Sequence, residues 1–408
     1  MFRFKKSNDH MKYKRRVYMF VYLFPPEFTG ASLQAINLAK WMRKKGIEVT
    51  FITATPEPRK KYNNIHDGFK VIRLTPPANN SNFSILIFWL QLLFLLIWHY
   101  KRYYIIHTIG IGTQLNILAL YGKILRKKTL VKTTLSNEVD NLNRSGKQGL
   151  EKKFSLFALK KYDKIIGISK KIVSSLINSG FRGNQVVYIP NGVDLTKFKP
   201  PRNREAKSRI KKRLGLPTQG VLFSYVGVIH RRKKIDWLIK HWLKVFKNND
   251  DCFLLIAGPL ARETIMADGG GKDYFNYLIQ LTNKLGGSNK IFFKPFKQEV
   301  EDYFKISDYF INPSESEGLS NSLLEAMACG AIPIVSRSSG SEDVVINGYN
   351  GYIFNIGDNK DLASTLSLCM KERSETRKLS RNAQKTIKDY FSISITCSGY
   401  VQLYRNLV

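Results

Sequence analysis

A chain of 408 residues exceeds the size of one typical hydrophobic core, so two domains are expected. An apolar share of 43% excludes a disordered chain, and four widely spaced cysteines without a Cys-x-x-Cys pair argue against a zinc site or a disulfide scaffold. Residues 1–200 hold 35 Lys and Arg against 10 Asp and Glu, and so most of the net charge of +35, which attracts nucleic acid or an anionic membrane. A generally lysine-rich surface is the alternative cause, although it does not predict this asymmetry.

The first half of the chain alternates strands with helices, a pattern typical of a parallel sheet with helices on both faces. Its predicted helices include Ala31–Lys45 and Gln114–Arg126. The run Val17–Phe24 ends at two prolines and indicates a strand, so no secretory signal is expected. The predicted strands are Val17–Leu23, Ile47–Thr53, Tyr104–His107, Thr129–Thr134, Lys164–Ile168 and Val186–Ile189.

The most apolar segment is Phe83–Trp98, which reads FSILIFWLQLLFLLIW. As a helix it would reach about 24 Å at ~1.5 Å per residue, short of a ~30 Å hydrocarbon core. Two interpretations stay open. The segment is either a buried helix of the first domain or a helix in the membrane interface, bordered by Trp89, Trp98, Lys101 and Arg102.

The charged, proline-flanked segment Pro200–Pro217 is the expected domain boundary, because the strand and helix pattern restarts after it. Helix Ile235–Phe246 follows the first strand of the new series. Two doubly wound units in tandem predict a ligand crevice between them, at the carboxyl ends of their strands. The strands predicted in the second half are Val221–Val226, Phe253–Ile256, Lys290–Phe293, Tyr309–Asn312 and Ile332–Val335.

The segment Ile311–Phe354 carries the strongest functional signal. Its carboxylates Glu317 and Glu325 stand eight positions apart, the first in a loop and the second in the second turn of the apolar helix that follows. Between them the turn Gly318-Leu319-Ser320-Asn321 leads into that helix. Such a strand-loop-helix directs free backbone N–H groups and the positive end of a helix dipole at one point, which suits a phosphate.

This paired-Glu motif closely resembles the donor site of retaining glycosyltransferases of family 4, and nearly the whole chain shares the resemblance. The matching segments, in chain order, are PPEFTGA (Pro25–Ala31), Asp163–Ser169, IPNGVDLTKFKP (Ile189–Pro200), Tyr225-Val226-Gly227 with Lys233, and SDYFINPS (Ser307–Ser314). The resemblance implies a GT-B fold: two Rossmann-like domains, at about 1–198 and 199–389. A last helix, about Phe391–Leu407 within residues 390–408, is expected to cross back to the first domain.

The family implies a role for each matching residue. Glu317 is expected to contact the hydroxyls of the donor sugar, Glu325 the ribose hydroxyls of the nucleotide, and Lys233 the diphosphate. A carboxylate accepts two hydroxyl hydrogens, which suits a diol, and the leaving diphosphate needs cations and dipoles placed beforehand. Because the chain has no Asp-x-Asp sequence, we expect a metal-free reaction without a cofactor. The other donor-binding candidates are Gly30, Arg232, Gly318, Leu319, Ser320 and Asn321.

Two positions depart from the family pattern. Val228 stands where members commonly have Arg, so Arg231 or Arg232 is expected to supply that charge. Leu135 and Ser136 stand where many members place a His that reaches the donor sugar. His107 ends a strand and could face the cleft, but a structural histidine is the favoured interpretation.

The expected reaction uses a UDP- or GDP-sugar and a hydroxyl acceptor, and the sequence does not distinguish the two nucleotides. A lipid-linked saccharide, handled by a cytoplasmic protein attached to the inner face of the cell membrane, is the favoured acceptor, as in surface-polysaccharide assembly. The acid-poor first half, the Phe83–Trp98 run and the basic clusters Lys12–Arg16, Arg59–Lys61 and Arg126–Lys128 favour it. A soluble acceptor is the alternative. A sugar-nucleotide epimerase and a nucleic-acid-binding protein are more distant alternatives, and no nucleic-acid partner is expected.

Overall fold

A computed structural model of the chain describes residues 15–25, 29–54, 64–75, 82–134, 149–260, 271–295, 299–338 and 340–408. These residues form two α/β units, each built on its own largely parallel sheet. The alternation of strands and helices predicted this fold class, and the structure confirms it.

Within the described residues, the first sheet has eight strands in the order β3-β4-β2-β1-β5-β6-β7-β8. All neighbours pair in parallel except β3 and β4, which form a short antiparallel hairpin. The strands are β1 (Arg15–Val21), β2 (Ile47–Ala54), β3 (Ile65–His66), β4 (Phe69–Leu74), β5 (Ile105–Ile109), β6 (Lys128–Lys132), β7 (Lys164–Gly167) and β8 (Val186–Tyr188). The helices among them are α1 (Gly30–Lys44), α2 (Asn82–Trp98), α3 (Thr113–Ile124), α4 (Gly149–Leu159) and α5 (Lys170–Asn178).

The second sheet has six strands among the described residues, in the order β11-β10-β9-β12-β13-β14. The chain therefore leaves β9 in one direction and returns to β12 on its other side, which makes the gap between them a topological switch point. The strands are β9 (Val221–Val226), β10 (Cys252–Ala257), β11 (Ile291–Lys294), β12 (Tyr309–Asn312), β13 (Ile332–Ser336) and β14 (Tyr352–Phe354). The helices are α6 (Arg204–Arg213), α7 (Ile235–Phe246), α8 (Gly271–Lys284), α9 (Glu301–Ile306), α10 (Asn321–Ala328), α11 (Asn359–Lys371), α12 (Thr376–Tyr390) and α13 (Ile393–Leu407).

Helix α13 follows the second unit in the chain but packs on the first. Its buried residues Cys397, Tyr400 and Tyr404 share one core with α1 and with β-strand residues such as Ile105. The two chain crossings between the units touch each other, because Val193 N–H donates to Phe391 O (2.9 Å) and Ile393 N–H donates to Val193 O (2.8 Å).

Helix α2 covers the opposite face of the first sheet. Phe88, Leu92 and Leu96 point into the core there, at 1%, 0% and 0% exposure. The other side of the helix is equally apolar but faces outward, with Phe94 67% and Trp98 72% exposed. One side of the helix is therefore buried in the first unit, as the first interpretation expected, and the exposed side leaves the membrane-interface interpretation open. No helix in the described ranges is both long and apolar enough to cross a membrane.

Candidate active site

The candidate site lies where β9 and β12 end, at the switch point of the second sheet. After β9 the chain forms a short 3-10 helix, Arg231–Lys233, whose start is capped by His230 Nδ1 accepting from Arg232 N–H (3.1 Å). After β12 the chain runs through residues 313–320 into α10. Because carboxyl ends of neighbouring parallel strands meet at one edge, both loops border the same crevice.

Three consecutive basic residues bind three consecutive residues of the facing loop. The Arg232 guanidinium donates to Ser316 O (2.9 Å), Lys233 forms an ion pair with Glu317, and Lys234 Nζ lies 2.9 Å from a Glu315 carboxylate oxygen. Lys234 adopts a left-handed backbone (φ 52°), which lets the chain turn directly from the 3-10 helix into α7. The basic run RRKK is therefore held against the loop that carries the first glutamate.

The Lys233–Glu317 pair is largely shielded from water, with side-chain exposures of 15% and 11%. Burial alone would raise the pKa of Glu317, but the charges of Lys233 and Arg232 outweigh it, so the pKa lies below its usual range. Glu317 is therefore ionised at neutral pH. Removing one member of such a pair leaves the other charge buried and uncompensated, which costs about 3–5 kcal/mol.

Two helix N-termini converge beside this pair. Helix α10 starts at Asn321 with Ser320 as its N-cap, and α1 starts at Gly30 with Thr29 as its N-cap. Neither helix has an acidic residue in its first turn. The Asn321 side-chain amide donates to Gly30 O (3.1 Å), so the two positive helix ends belong to one location. Backbone N–H groups and helix dipoles at such a point favour an anion.

The two units approach each other closely along this edge. A Cβ atom on Gly318 would lie 2.1 Å from Thr134 O of the first unit, so only glycine permits the contact. Asn191, in the segment between the units, donates from its amide to Leu319 O (3.2 Å) and to Asn321 Oδ1 (2.9 Å). Residues of both units therefore contact the loop that leads into α10.

The second glutamate, Glu325, is partly buried on α10, in a different electrostatic setting from Glu317. Burial and the nearby carboxylate of Glu301 raise its pKa to about 8, against the opposing charge of Lys197. Lys197 itself lies 3.3 Å from Glu301. Glu325 is thus largely protonated at neutral pH, whereas Glu317 is ionised.

Two family models match the chain, one in each unit. The family model described as glycosyl transferases group 1 matches residues 206–386, and the model described as glycosyltransferase family 4 matches residues 28–197. Together they span most of the chain. The chain belongs to glycosyltransferase family 4.

The relatives of this glycosyltransferase have sequence identities of 23% and 25%, and one of them aligns over nearly the full length of both chains. It is 23% identical to the capsular polysaccharide biosynthesis glycosyltransferase CapM of Staphylococcus aureus over 90% of this chain and 92% of that one. It is 25% identical to an Escherichia coli enzyme named UDP-Gal:alpha-D-GlcNAc-diphosphoundecaprenol alpha-1,3-galactosyltransferase, over 55% of each chain. The chain thus spans only about half the length of the latter relative.

Solved structures of the same fold cover the glycosyltransferase almost completely. Sucrose-phosphate synthase of Thermosynechococcus elongatus superposes with a TM-score of 0.78 at 20% identity, over 96% of this chain and 99% of that one. The Anabaena protein HepE, in complex with UDP and glucose, superposes with a TM-score of 0.76 at 18% identity, over 96% and 100%. The GT-B fold predicted from the sequence is therefore confirmed.

The structure brings together most of the residues that the sequence singled out. Arg232 reaches the loop of the first glutamate, whereas the Arg231 guanidinium lies over the Tyr274 ring at 5.0 Å. The position of Arg232 therefore favours it, over Arg231, as the residue that supplies the positive charge that family members commonly have at the position of Val228. The candidates that meet at the switch point are Gly30, Arg232, Lys233, Glu317, Gly318, Leu319, Ser320 and Asn321.

Other predicted positions lie elsewhere. His107 is fully buried and hydrogen bonds Tyr404 through Nδ1 (2.7 Å), and burial lowers its pKa to about 3. It belongs to the core, in agreement with the structural interpretation. Leu135, Ser136, the cluster Arg59–Lys61 and the first three residues of the cluster Lys12–Arg16 lie outside the described residues.

The sequence did not single out every residue of the crevice. Asn191 lies in the IPNGVD segment, where family resemblance was the only signal, and the contact of Thr134 with Gly318 had none. Lys197 lies in the same family-like segment as Asn191 but was not singled out, and Glu301 begins α9 without any motif. Across the described part of the chain, no three His, Cys, Asp or Glu side chains are grouped so that they could hold a metal ion.

Glu325→Gln is expected to stabilise the fold by about 4 kcal/mol more at pH 8.5 than at pH 5, since a pKa difference of one unit is worth about 1.4 kcal/mol. The folded chain holds the Glu325 proton more tightly than the unfolded chain does, because its pKa is raised from 4.5 to about 8. Stability contributed by the protonated form is therefore lost as the pH rises through that interval. Urea unfolding at the two pH values measures the difference, and equal gains at both would contradict the assigned pKa direction.

Proposed function

We propose that the chain transfers a hexose or related sugar from a nucleotide donor to a hydroxyl acceptor, with retention at the anomeric carbon. The observation that carries the proposal is the buried Lys233–Glu317 pair beside the converging N-termini of α1 and α10. A nucleotide diphosphate is the anion that such a point suits best, and the family supplies the sugar.

Each group then has a chemical task. Lys233, Arg232 and the amides around Ser320 and Asn321 bind the diphosphate, whose charge grows as the bond from anomeric carbon to phosphate oxygen breaks. Glu317 orients the sugar by accepting hydrogen bonds from its hydroxyls, and Glu325 engages the ribose diol. Gly318 and Gly30 let the backbone approach closely, and Leu319 is positioned by the bond that its O accepts from the Asn191 amide.

Retention of the anomeric configuration requires the acceptor to attack the sugar from the same face from which the diphosphate departs. The acceptor oxygen bonds to the anomeric carbon while its proton passes to the departing phosphate oxygen, the nearest base on that face. The chain needs only to hold the two substrates in contact and to stabilise the charge.

A lipid-linked saccharide in surface-polysaccharide assembly is the acceptor we propose, with the protein attached to the inner face of the cell membrane. The similarity to a capsular polysaccharide enzyme, and to one whose name specifies a diphosphoundecaprenol substrate, supports this choice. A soluble acceptor would fit the same crevice and is the alternative.

A panel of UDP-, GDP- and ADP-sugars tests the donor class with the purified chain. We expect turnover with a uridine or guanosine donor, and we would test uridine first because HepE of the same fold was crystallised with UDP. Release of nucleotide diphosphate is the readout, and product anomers identified by NMR report retention. Inversion of the anomeric centre would contradict the proposed stereochemistry.

Transfer is expected to continue in excess chelator, because the proposed cations of the site are side chains. The measurement compares the initial rate with and without EDTA, and then after adding magnesium or manganese. A complete loss that a divalent cation restores would show that the reaction depends on a metal.

A further inference from the structure

An apolar strip on α2 is exposed along the whole helix. Phe83, Leu86, Leu90, Phe94, Ile97 and Trp98 are 49% to 72% exposed and recur at intervals of one to four positions, which places them along one side of the helix. We refer to these six side chains as the outer face of α2.

The described residues of the first unit leave this face uncovered. The opposite side of α2 already fills the core through Phe88, Leu92 and Leu96, beneath the sheet and against α3. A helix that is apolar all round normally lies within a protein core or within lipid. In the described part of the chain, nothing covers the outer face of α2.

The charge around the outer face favours an anionic partner. No Asp or Glu occurs from residue 68 to residue 137, a stretch that holds nine Lys and Arg. Lys101 and Arg102 are exposed directly after the helix, and Lys127 Nζ lies 3.9 Å from the centre of the Tyr100 ring. Aromatic rings and cations at the border of an apolar strip match the interface of an anionic membrane.

We propose that α2 lies in the plane of an anionic lipid bilayer, with its outer face among the acyl chains and its flanking cations at the headgroups. The length of α2 is compatible with a helix that lies flat on the bilayer. Its 17 residues at ~1.5 Å each give about 25 Å of contact along the surface. This membrane contact deepens the proposed function. Only the link to a lipid-linked acceptor rests on that function, because the exposed outer face of α2 is observed independently of it.

Topology places this contact near the crevice. Helix α2 follows β4 from the carboxyl edge of the first sheet and returns to its amino edge before β5. The carboxyl edge is the one that borders the crevice, so the Phe83 end of the outer face is the end nearer to it. A membrane-bound acceptor would then reach the site from the surface on which the protein rests.

Trp98 gives a direct optical test with the full chain. It is 72% exposed, whereas the other four tryptophans are buried or partly buried. Mixing with vesicles of phosphatidylcholine and phosphatidylglycerol at low salt is expected to shift the emission to the blue, and Trp98→Phe is expected to abolish most of the shift. Vesicles of phosphatidylcholine alone are expected to bind at least tenfold more weakly, as is the anionic mixture at high salt.

Two sets of variants separate the apolar from the charged contribution in co-sedimentation. Leu90→Ser with Phe94→Ser is expected to lower partition onto anionic vesicles at least tenfold, while Ile346→Ser, an exposed apolar control in the second unit, leaves it unchanged. Lys101→Gln with Arg102→Gln is expected to weaken binding and flatten its salt dependence, in contrast to Lys212→Gln with Lys371→Gln. Circular dichroism confirms that each variant is folded.

Binding that persists in the Leu90/Phe94 double variant, or no binding to anionic vesicles at low salt, would overturn the proposal. So would a dimer in sedimentation velocity that these two substitutions convert to a monomer, since a second copy would then cover the face. Donor turnover onto a detergent-dispersed acceptor is measured separately, so failure of the membrane contact and failure of the transferase are distinguishable.

Discussion

Glu317→Gln is expected to lower kcat/KM for transfer by about 10–150-fold, the effect of losing one charge-assisted contact worth about 1.5–3 kcal/mol. Glutamine keeps the size of the side chain but removes the charge that holds Lys233 in place. The donor sugar loses an acceptor of two hydroxyl hydrogens at the same time. Steady-state kinetics with the preferred donor measures the loss.

A neighbouring acid provides the control. Glu315 pairs with Lys234 at 2.9 Å but its side chain is 50% exposed, so Glu315→Gln is expected to change kcat/KM less than about threefold. The double variant Glu317→Gln with Lys233→Met removes both buried charges and should recover stability without recovering activity. Activity restored in that double variant, or left intact by Glu317→Gln, would show that the pair only supports the fold.

Gly318→Ala is expected to lower kcat/KM by about 100-fold, because a displacement near 1 Å between reacting groups costs about that much. The new Cβ would meet Thr134 O at 2.1 Å and the Ile168 side chain at 3.0 Å, both in the first unit. Since neither neighbour belongs to the second unit, the strain is relieved by moving the two units apart. The midpoint of thermal unfolding is therefore expected to change little.

Gly183→Ala is the matched control for this effect. Gly183 lies in the first unit, and a Cβ there would meet nothing within 4 Å, so kinetics should match the parent. Small-angle scattering distinguishes an opened Gly318→Ala variant from a misfolded one. Parent-like kinetics for Gly318→Ala would mean that the close contact of the two units is not required for transfer.

The sequence predicted the regular elements best where long apolar runs have clear ends. Helix α7 and strands β9 and β12 fall where expected, and the start of α10 follows from the Gly-Leu-Ser-Asn turn. The β3–β4 hairpin was missed: its first strand has two residues, too few to show alternation, and its second strand, Phe69–Leu74, was not predicted either. Its Asp67-Gly68 turn, with φ of 50° and 76°, was the available signal.

The site was predictable on one side of the crevice only. The paired-glutamate segment locates Glu317, Glu325 and the N-cap Ser320, because these lie within one strand-loop-helix whose geometry is local. Contacts across the crevice are different. Asn191 and Asn321 are 130 positions apart, and nothing in either segment specifies the other. The sequence likewise does not specify whether Arg231 or Arg232 faces the site, because their directions are set by a single turn of 3-10 helix.

The return of α13 to the first unit has a consequence for the order in which the chain can fold during synthesis. The second unit is continuous in sequence and can assemble as it leaves the ribosome. The first cannot, because Ile393, Cys397, Tyr400 and Tyr404 complete its core and are made only after the whole second unit. Until then the sheet face around His107 stays uncovered, so the half of the protein that is translated first is the half that is finished last.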